Sequence, residues 1–172
     1  MQSFLHSFSY VVFSATLAAV ALLMAFVAQY GFGLQPCPLC LYQRFPYFAV
    51  LGVGLVAGLI SKGRSKTIVL ALIGLWCISL ILGAYHSGVE AGLWSFPACA
   101  SSIQGADNLA ELEAMIRQAT VNPCDRPAFL LVSLSMADMN MALSGAMLGW
   151  GLWVLKRTKS AVPPKVKKVL TF

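Results

Sequence analysis

From Phe8 to Tyr30 the chain runs for 23 residues without a charged side chain. At 1.5 Å per residue a helix of that length spans about 34 Å, enough to cross a hydrocarbon core of roughly 30 Å. Lipid offers the backbone no hydrogen-bonding partners, so a stretch that crosses it must be helical or part of a closed barrel. A removable signal peptide fits poorly, because no basic segment precedes the run and its apolar core is too long. Three more apolar stretches follow. The predicted spans are about 8–30, 41–60, 67–86 and 138–155, with Pro46 expected in the first turns of the second. Ser135-Met-Ala-Asp138 reads as a capping box opening the fourth. The expected fold is all-α, an integral membrane four-helix bundle forming a single domain over residues 1–172. Only 10% of the residues are charged and 59% are hydrophobic, which leaves too little polar surface for a soluble domain.

Charge placement sets an expected orientation. Lys62, Arg64 and Lys66 lie between the second and third spans. The tail 156–172 adds Lys156, Arg157, Lys159, Lys165, Lys167 and Lys168, so 9 of the 12 basic residues fall on one side. The other side holds Arg44, Arg117 and Arg126 with all six acids. By the positive-inside rule both termini are cytoplasmic, and the two odd-numbered loops face outward. The net charge of +6 is thus a topology signal. No interleaving of basic and aromatic residues points to nucleic acid.

The external loop 87–135 is the only long polar segment. Asn108-x-x-Glu111 resembles a helix start, and Leu109, Leu112, Met115, Ile116 and Ala119 recur at helical spacing, so a short amphipathic helix on the membrane interface is expected there. The pairs Gly54/Gly58 and Gly145/Gly149 allow close helix approach and are read as packing within one bundle, the chain being taken as a monomer.

Four of the five cysteines fall on the outward face: Cys37 and Cys40 before the second span, Cys99 and Cys124 in the long loop. Cys77 lies mid-span between Trp76 and Ile78 and reads as an inert apolar residue. The outward pairs admit three uses. As structural staples, a loop bridge fits the distant pair, but a Cys-x-x-Cys ring constrains little unfolded chain. As a metal site, four thiolates are needed, and Cys99 and Cys124 stand too far apart for the usual two close pairs, so no metal is expected. As a redox device, Cys40 sits near a helix N-terminus that favours a thiolate, and Arg44 lies one helical turn away. His86 and Glu90 close the third span on the same face, where a histidine can exchange protons with a bound redox molecule. Two dithiol pairs on one oxidising face can pass a disulfide by exchange. With no nucleotide, flavin or haem motif, repeated oxidation requires an electron acceptor soluble in the membrane.

At these residues a family likeness emerges. Pro36-Cys-Pro-Leu-Cys-Leu-Tyr-Gln-Arg44 resembles the first external loop of the DsbB family of quinone-linked membrane disulfide oxidoreductases. Tyr85-His-Ser-Gly-Val-Glu90, Pro123-Cys-Asp125, Ser133-Leu-Ser-Met-Ala137 and Asn140 resemble it as well. The resemblance implies that Cys99 and Cys124 form a disulfide that oxidises a periplasmic thioredoxin-fold partner, a DsbA-like oxidase, through attack at Cys99. It further implies a Cys37–Cys40 disulfide, a transient Cys37–Cys124 bond, and electron delivery from Cys40 to ubiquinone or menaquinone. Arg44 and His86 are implied to lie beside the quinone, and the bacterial inner membrane is the implied location.

Two positions depart from the family pattern. Met139 stands where many relatives carry tryptophan, and Pro38 sits between the paired cysteines. Two rival readings are a tetraspan scaffold with structural disulfides and a vitamin K epoxide reductase-like protein. The latter family is expected to carry its Cys-x-x-Cys in a late span.

Overall fold

The computed structural model describes residues 2–60, 66–97, 108–110, 124, 130–131 and 134–160. Among these, four long helices form the bundle: α1 (Gln2–Phe26), α2 (Pro38–Ile60), α3 (Lys66–Glu90) and α4 (Met136–Ser160). They contact around a ring, α1 against α2, α2 against α3, α3 against α4 and α4 back against α1. A hairpin of two-residue strands, β1 (Leu130–Leu131) and β2 (Leu134–Ser135), pairs antiparallel just ahead of α4. The loop helix expected after Asn108 lies, beyond its first residues, outside the described residues.

Among the described residues three helices are long and apolar enough to cross a membrane: His6–Gly31, Pro38–Gly58 and Lys66–Glu90. The fourth expected span falls short by composition. Asn140 and Ser144 are buried in α4, and its glycines and tryptophans further dilute the hydropathy, although α4 is as long as α3 and packs along it. Two boundaries also shift. α2 begins at Pro38, so Pro46 lies in its third turn and not its first turns. α3 runs on to Glu90, which carries His86 and Glu90 on its final turn.

The helix ends have physical causes. α1 continues into a π-helical turn, Val27–Gly31, and Gly33 follows at φ +68°, where the left-handed conformation lets the chain leave the helix. At the end of α3 the amide of Leu93 bonds the carbonyl of Gly88 at 2.9 Å and that of Gly92 bonds Val89 at 3.0 Å. Gly92 sits at φ +71°, which makes this a Schellman cap. α4 opens with the expected capping box: the Asp138 amide donates to Ser135 Oγ at 3.1 Å, and the Ser135 amide donates to Asp138 Oδ2 at 3.3 Å.

The core is the bundle axis, built on Tyr10, Val50, Leu72, Trp76 and Val154, while Phe13, Leu23, Met24, Leu55, Ile78 and Ile81 point outward as a lipid-facing surface suits. Of the four glycines expected to mediate close approach, only Gly54 does so: a Cβ there would lie 2.5 Å from Ala15 Cβ. Gly58 and Gly149 have no neighbour within 4 Å of such a Cβ among the described residues. Tight contacts also occur at Gly151, against Tyr10 and Ile73, at Gly83, against Asn140 and Met141 of α4, and at Gly88, against the Trp94 ring.

Candidate functional site

The outward ends of α2 and α3 meet the segment after α3 and build the site. Cys37 is the N-cap of α2: its carbonyl accepts the Leu41 amide at 3.1 Å and its Sγ accepts the Cys40 amide at 3.1 Å. Pro38 at the first helical position lacks an N–H that would go unused there. The cap geometry turns Cys37 toward Cys40, and the Cys37 thiol donates to Cys40 Sγ at 2.7 Å. That hydrogen bond, followed by burial, holds the Cys37 thiol far above the ordinary thiol range.

Behind the pair stands His86, buried to 2% exposure. Its Nε2 lies 3.6 Å from Cys37 Sγ and 3.6 Å from Glu90 Oε1, and its Nδ1 is buried without a partner among the described residues. Cys37, Leu39, Val89 and Cys124 form one buried cluster, with Cys40, Tyr85 and Phe96 packed on it. Cys124 is disulfide-bonded and 1% exposed. The position expected to pair with it, Cys99, lies outside the described residues. The segment after α3 folds over this end: Trp94 stacks on Tyr85 with centroids 5.7 Å apart and donates its indole N–H to the Tyr85 carbonyl at 2.8 Å.

On the other side of Cys40 a cavity of about 510 Å³ opens between α1, α2 and α4. Its walls are mainly apolar, among them Leu22, Ala25, Ala28, Leu34 and Leu143, with Gln35, Cys40, Gln43, Arg44, Tyr47 and Asn140 as the polar minority. Size and lining match a small-molecule site. A quinone, an apolar ring with two carbonyl acceptors, fits this donor set and these walls.

Arg44 does not reach Cys40 through a hydrogen bond among the described residues. Its Nη1 donates to Gln29 in the π-helical turn at 2.6 Å, and its guanidinium lies 5.2 Å from the Phe26 ring centre. It thereby walls both this cavity and a second one of about 520 Å³ that Phe26, Tyr42 and Phe48 also line. His86 lies behind the cysteines and is not among the cavity-lining residues. Cys77 is a free, half-buried thiol within α3, remote in sequence from this end.

Sequence reasoning passed over Gln29 and Tyr47. Tyr47 donates to Asn140 Oδ1 at 2.5 Å and Ser79 to the same oxygen at 3.2 Å, while the single Ser144 hydroxyl hydrogen is shared between Ser79 Oγ at 2.9 Å and Asn140 Oδ1 at 3.2 Å. A polar residue one turn from another inside an apolar span is a readable signal for Asn140 and Ser144. Tyr47 offered none.

Residues 8–154 match the family described as disulfide bond formation protein DsbB. The chain belongs to the DsbB family. It is therefore a membrane protein of disulfide bond formation, a disulfide oxidoreductase by family. Among relatives of this DsbB-family chain, the disulfide bond formation protein B of Aromatoleum aromaticum is 30% identical, covering 82% of this chain and 88% of the relative. That of a Psychrobacter species is 26% identical over 87% and 90%. An uncharacterized protein of Rickettsia prowazekii is 35% identical over 77% and 78%. No solved structure matched.

Proposed function

We propose that this DsbB-family protein reoxidises a periplasmic thioredoxin-fold dithiol oxidase of the DsbA kind and passes the electrons to a membrane quinone, ubiquinone or menaquinone. One observation carries the reading: Cys124 is packed in the same buried cluster as Cys37, while Cys40 forms part of the wall of an apolar cavity. A disulfide handed to the loop can thus be exchanged on one side of the Cys37–Cys40 pair, and electrons can leave on the other.

The chain's groups divide the work. A partner thiolate attacks Cys99, breaking the Cys99–Cys124 bond and freeing the Cys124 thiolate. Cys124 then attacks Cys37, which breaks the Cys37–Cys40 bond, forms Cys37–Cys124 and leaves Cys40 as the thiolate. The second partner thiol resolves the mixed disulfide at Cys99. The quinone supplies a two-electron, two-proton acceptor. Against it, Cys40 is the electron-donating sulfur and the buried walls exclude water. Arg44, anchored by Gln29 and Phe26, places a fixed positive charge one turn from Cys40. Cys99 attacks Cys124 of the Cys37–Cys124 bond, which re-forms Cys99–Cys124 and frees the Cys37 thiol, and loss of two electrons from the Cys37–Cys40 dithiol to the acceptor then closes Cys37–Cys40 again. His86 Nε2 is placed to exchange a proton with Cys37, which departs from the expectation that it lies beside the quinone.

The topology that serves this cycle puts the site on the periplasmic face of a bacterial inner membrane, with both termini and the Lys62-to-Lys66 loop cytoplasmic and α4 as the fourth span. A scaffold with only structural disulfides leaves the free, buried Cys37 and the free Cys40 at the cavity wall without a purpose. The test uses membranes containing the protein and a reduced thioredoxin-fold partner. Reoxidation is expected only when quinone is present, and reoxidation at full rate in quinone-depleted membranes refutes the reading.

A further inference from the structure

The Cys37–Cys40 pair has a third neighbour whose chemistry disulfide exchange does not exhaust. The two sulfurs and a ring nitrogen of His86 all lie within 4.8 Å of one another. Sequence spacing set a metal aside because Cys99 and Cys124 are too far apart to add a second close pair of thiolates. The fold brings an imidazole to the first pair instead. Two thiolates and one imidazole, with a water completing the tetrahedron, are a donor set that suits zinc.

With metal–sulfur bonds of about 2.3 Å and a metal–nitrogen bond of about 2.0–2.1 Å, a tetrahedral site separates sulfur from nitrogen by about 3.5–3.6 Å. Cys37 Sγ and His86 Nε2 stand 3.6 Å apart. The two sulfurs, now 2.7 Å apart, must open to about 3.8 Å. Cys40 has room for that movement, because it is only half-buried and borders the cavity. Cys37 and His86 are the fixed side of the site, at 5% and 2% exposure. The imidazole is also short of partners. Its Nδ1 has none among the described residues, and Nε2 has only the 3.6 Å approaches to Cys37 Sγ and Glu90 Oε1. A buried ring held this loosely has a nitrogen to spare for a ligand, and the Glu90 carboxylate beside it favours a cation.

We propose that reduced Cys37 and Cys40, with His86 Nε2, form a redox-gated binding site for a thiophilic dication of the zinc kind. Binding turns two thiols into thiolates, makes two metal–sulfur bonds and one metal–nitrogen bond, and releases two protons; no electron moves. The disulfide form offers no thiolate, so the site exists only while the pair is reduced. Mg2+ and Ca2+, which prefer oxygen ligands, are not taken. An ion held there ties up both sulfurs and keeps them out of disulfide exchange. That consequence rests on the proposed cycle, whereas the site rests on the geometry alone.

The test is anaerobic titration of the full-length, reduced protein in detergent with Co2+, a spectroscopic substitute for Zn2+, in the absence of partner and quinone. One equivalent is expected to give thiolate-to-cobalt charge-transfer absorption and the intense visible bands of a tetrahedral ion, both lost when Zn2+ displaces it. Losing an outer-shell partner of a metal site costs roughly 10–100-fold in affinity, so His86→Ala, which removes a ligand, should weaken binding by more than about a hundredfold. Cys77→Ala should bind as wild type does, and protein oxidised beforehand should give no signal. Zinc-edge X-ray absorption on the wild type at one equivalent needs no variant to fold, and two sulfurs at about 2.3 Å with imidazole nitrogen at about 2.0 Å are expected. A four-sulfur shell, a shell without imidazole, undiminished binding in His86→Ala, loss of binding in Cys77→Ala, or a signal from oxidised protein overturns the proposal. Each of these outcomes leaves the quinone reading to its own assay.

Discussion

Gly88 offers a direct way to loosen the site without touching its chemistry. A Cβ at this position would fall inside the Trp94 ring, so Gly88→Ala drives the indole off the last turns of α3. Two interactions are lost with it: the 2.8 Å indole N–H bond to the Tyr85 carbonyl and the 5.7 Å stack on the Tyr85 ring. Each contributes about 1 kcal/mol, so the segment's attachment weakens by about 2 kcal/mol and its opened population rises about thirtyfold. The bundle core does not depend on Gly88, because its buried contacts lie along the axis at Tyr10, Val50, Leu72 and Trp76. Global thermal stability in detergent should therefore fall little while the buried cluster of Cys37 and Cys124 becomes accessible. The assay is maleimide modification of Cys37 in reduced protein, followed by peptide mass spectrometry, with Cys77 as the internal standard. Labelling of Cys37 should accelerate more than tenfold while that of Cys77 stays constant. An unchanged Cys37 rate, or equal acceleration at both cysteines, refutes the view that residues 91–96 form a local cover.

Other perturbations address single links. Cys40→Ser should abolish quinone reduction while Cys77→Ser stays near wild type, measured by quinone absorbance with reduced partner; loss of activity in the second variant would reverse the inert assignment of Cys77. Ser135→Ala removes the α4 cap and should destabilise by about 1 kcal/mol, read as a lowered Tm in detergent, and an unchanged Tm would show that the capping box contributes nothing. Gly54→Ala pushes a methyl to 2.5 Å from Ala15 and should destabilise by about 1–3 kcal/mol, with Ala15→Gly in the same chain restoring most of the loss; additivity of the two changes would count against the α1–α2 contact. Arg44→Lys keeps the charge but loses the planar contact with Phe26, and should raise the KM for quinone with little change in kcat; an unaltered KM would remove Arg44 from the cavity's binding function.

The helices were legible because long uncharged runs have few solutions in lipid, and the α4 start because a capping box is a local pattern. The Cys37–Cys40 pair announced itself by spacing. What spacing could not convey was direction. Arg44 at one turn from Cys40 promised a contact with that sulfur, yet a side chain four residues on points wherever its longest reach finds a partner, and Gln29 on the neighbouring helix captures it. His86 likewise faces Cys37 and not the cavity, since α3 runs four residues past its expected end and its last turn is placed by the Schellman cap. The glycine pairs failed for a related reason. A small-xxx-small pattern marks where helices can approach, but only the packed bundle decides which glycines meet another helix, and Gly151 and Gly83, which do, have no partner glycine four residues away. Tyr47 was illegible because an isolated tyrosine in an apolar span carries no pattern until Asn140 comes opposite it.

The arrangement also bears on why the proposed cycle gives Cys37 and Cys40 different roles. The cap that closes the first turn of α2 directs the Cys40 amide at Cys37 Sγ, so Cys37 is held inward, toward His86 and the cluster containing Cys124. Cys40, three residues into the helix, necessarily projects from another side and meets the cavity between α1, α2 and α4. A protein thiol is large and arrives with water, whereas a membrane acceptor is flat and arrives through lipid. In the proposed cycle Cys37 meets the thiol and Cys40 the membrane acceptor. Swapping their order would require a helix that starts three residues earlier, which Pro36 and the link from Gly33 oppose. The two-residue spacer thus does more than keep two sulfurs in reach. It keeps the sulfurs in contact while giving them different further neighbours, His86 for Cys37 and the cavity for Cys40, as the proposed exchange and electron release require.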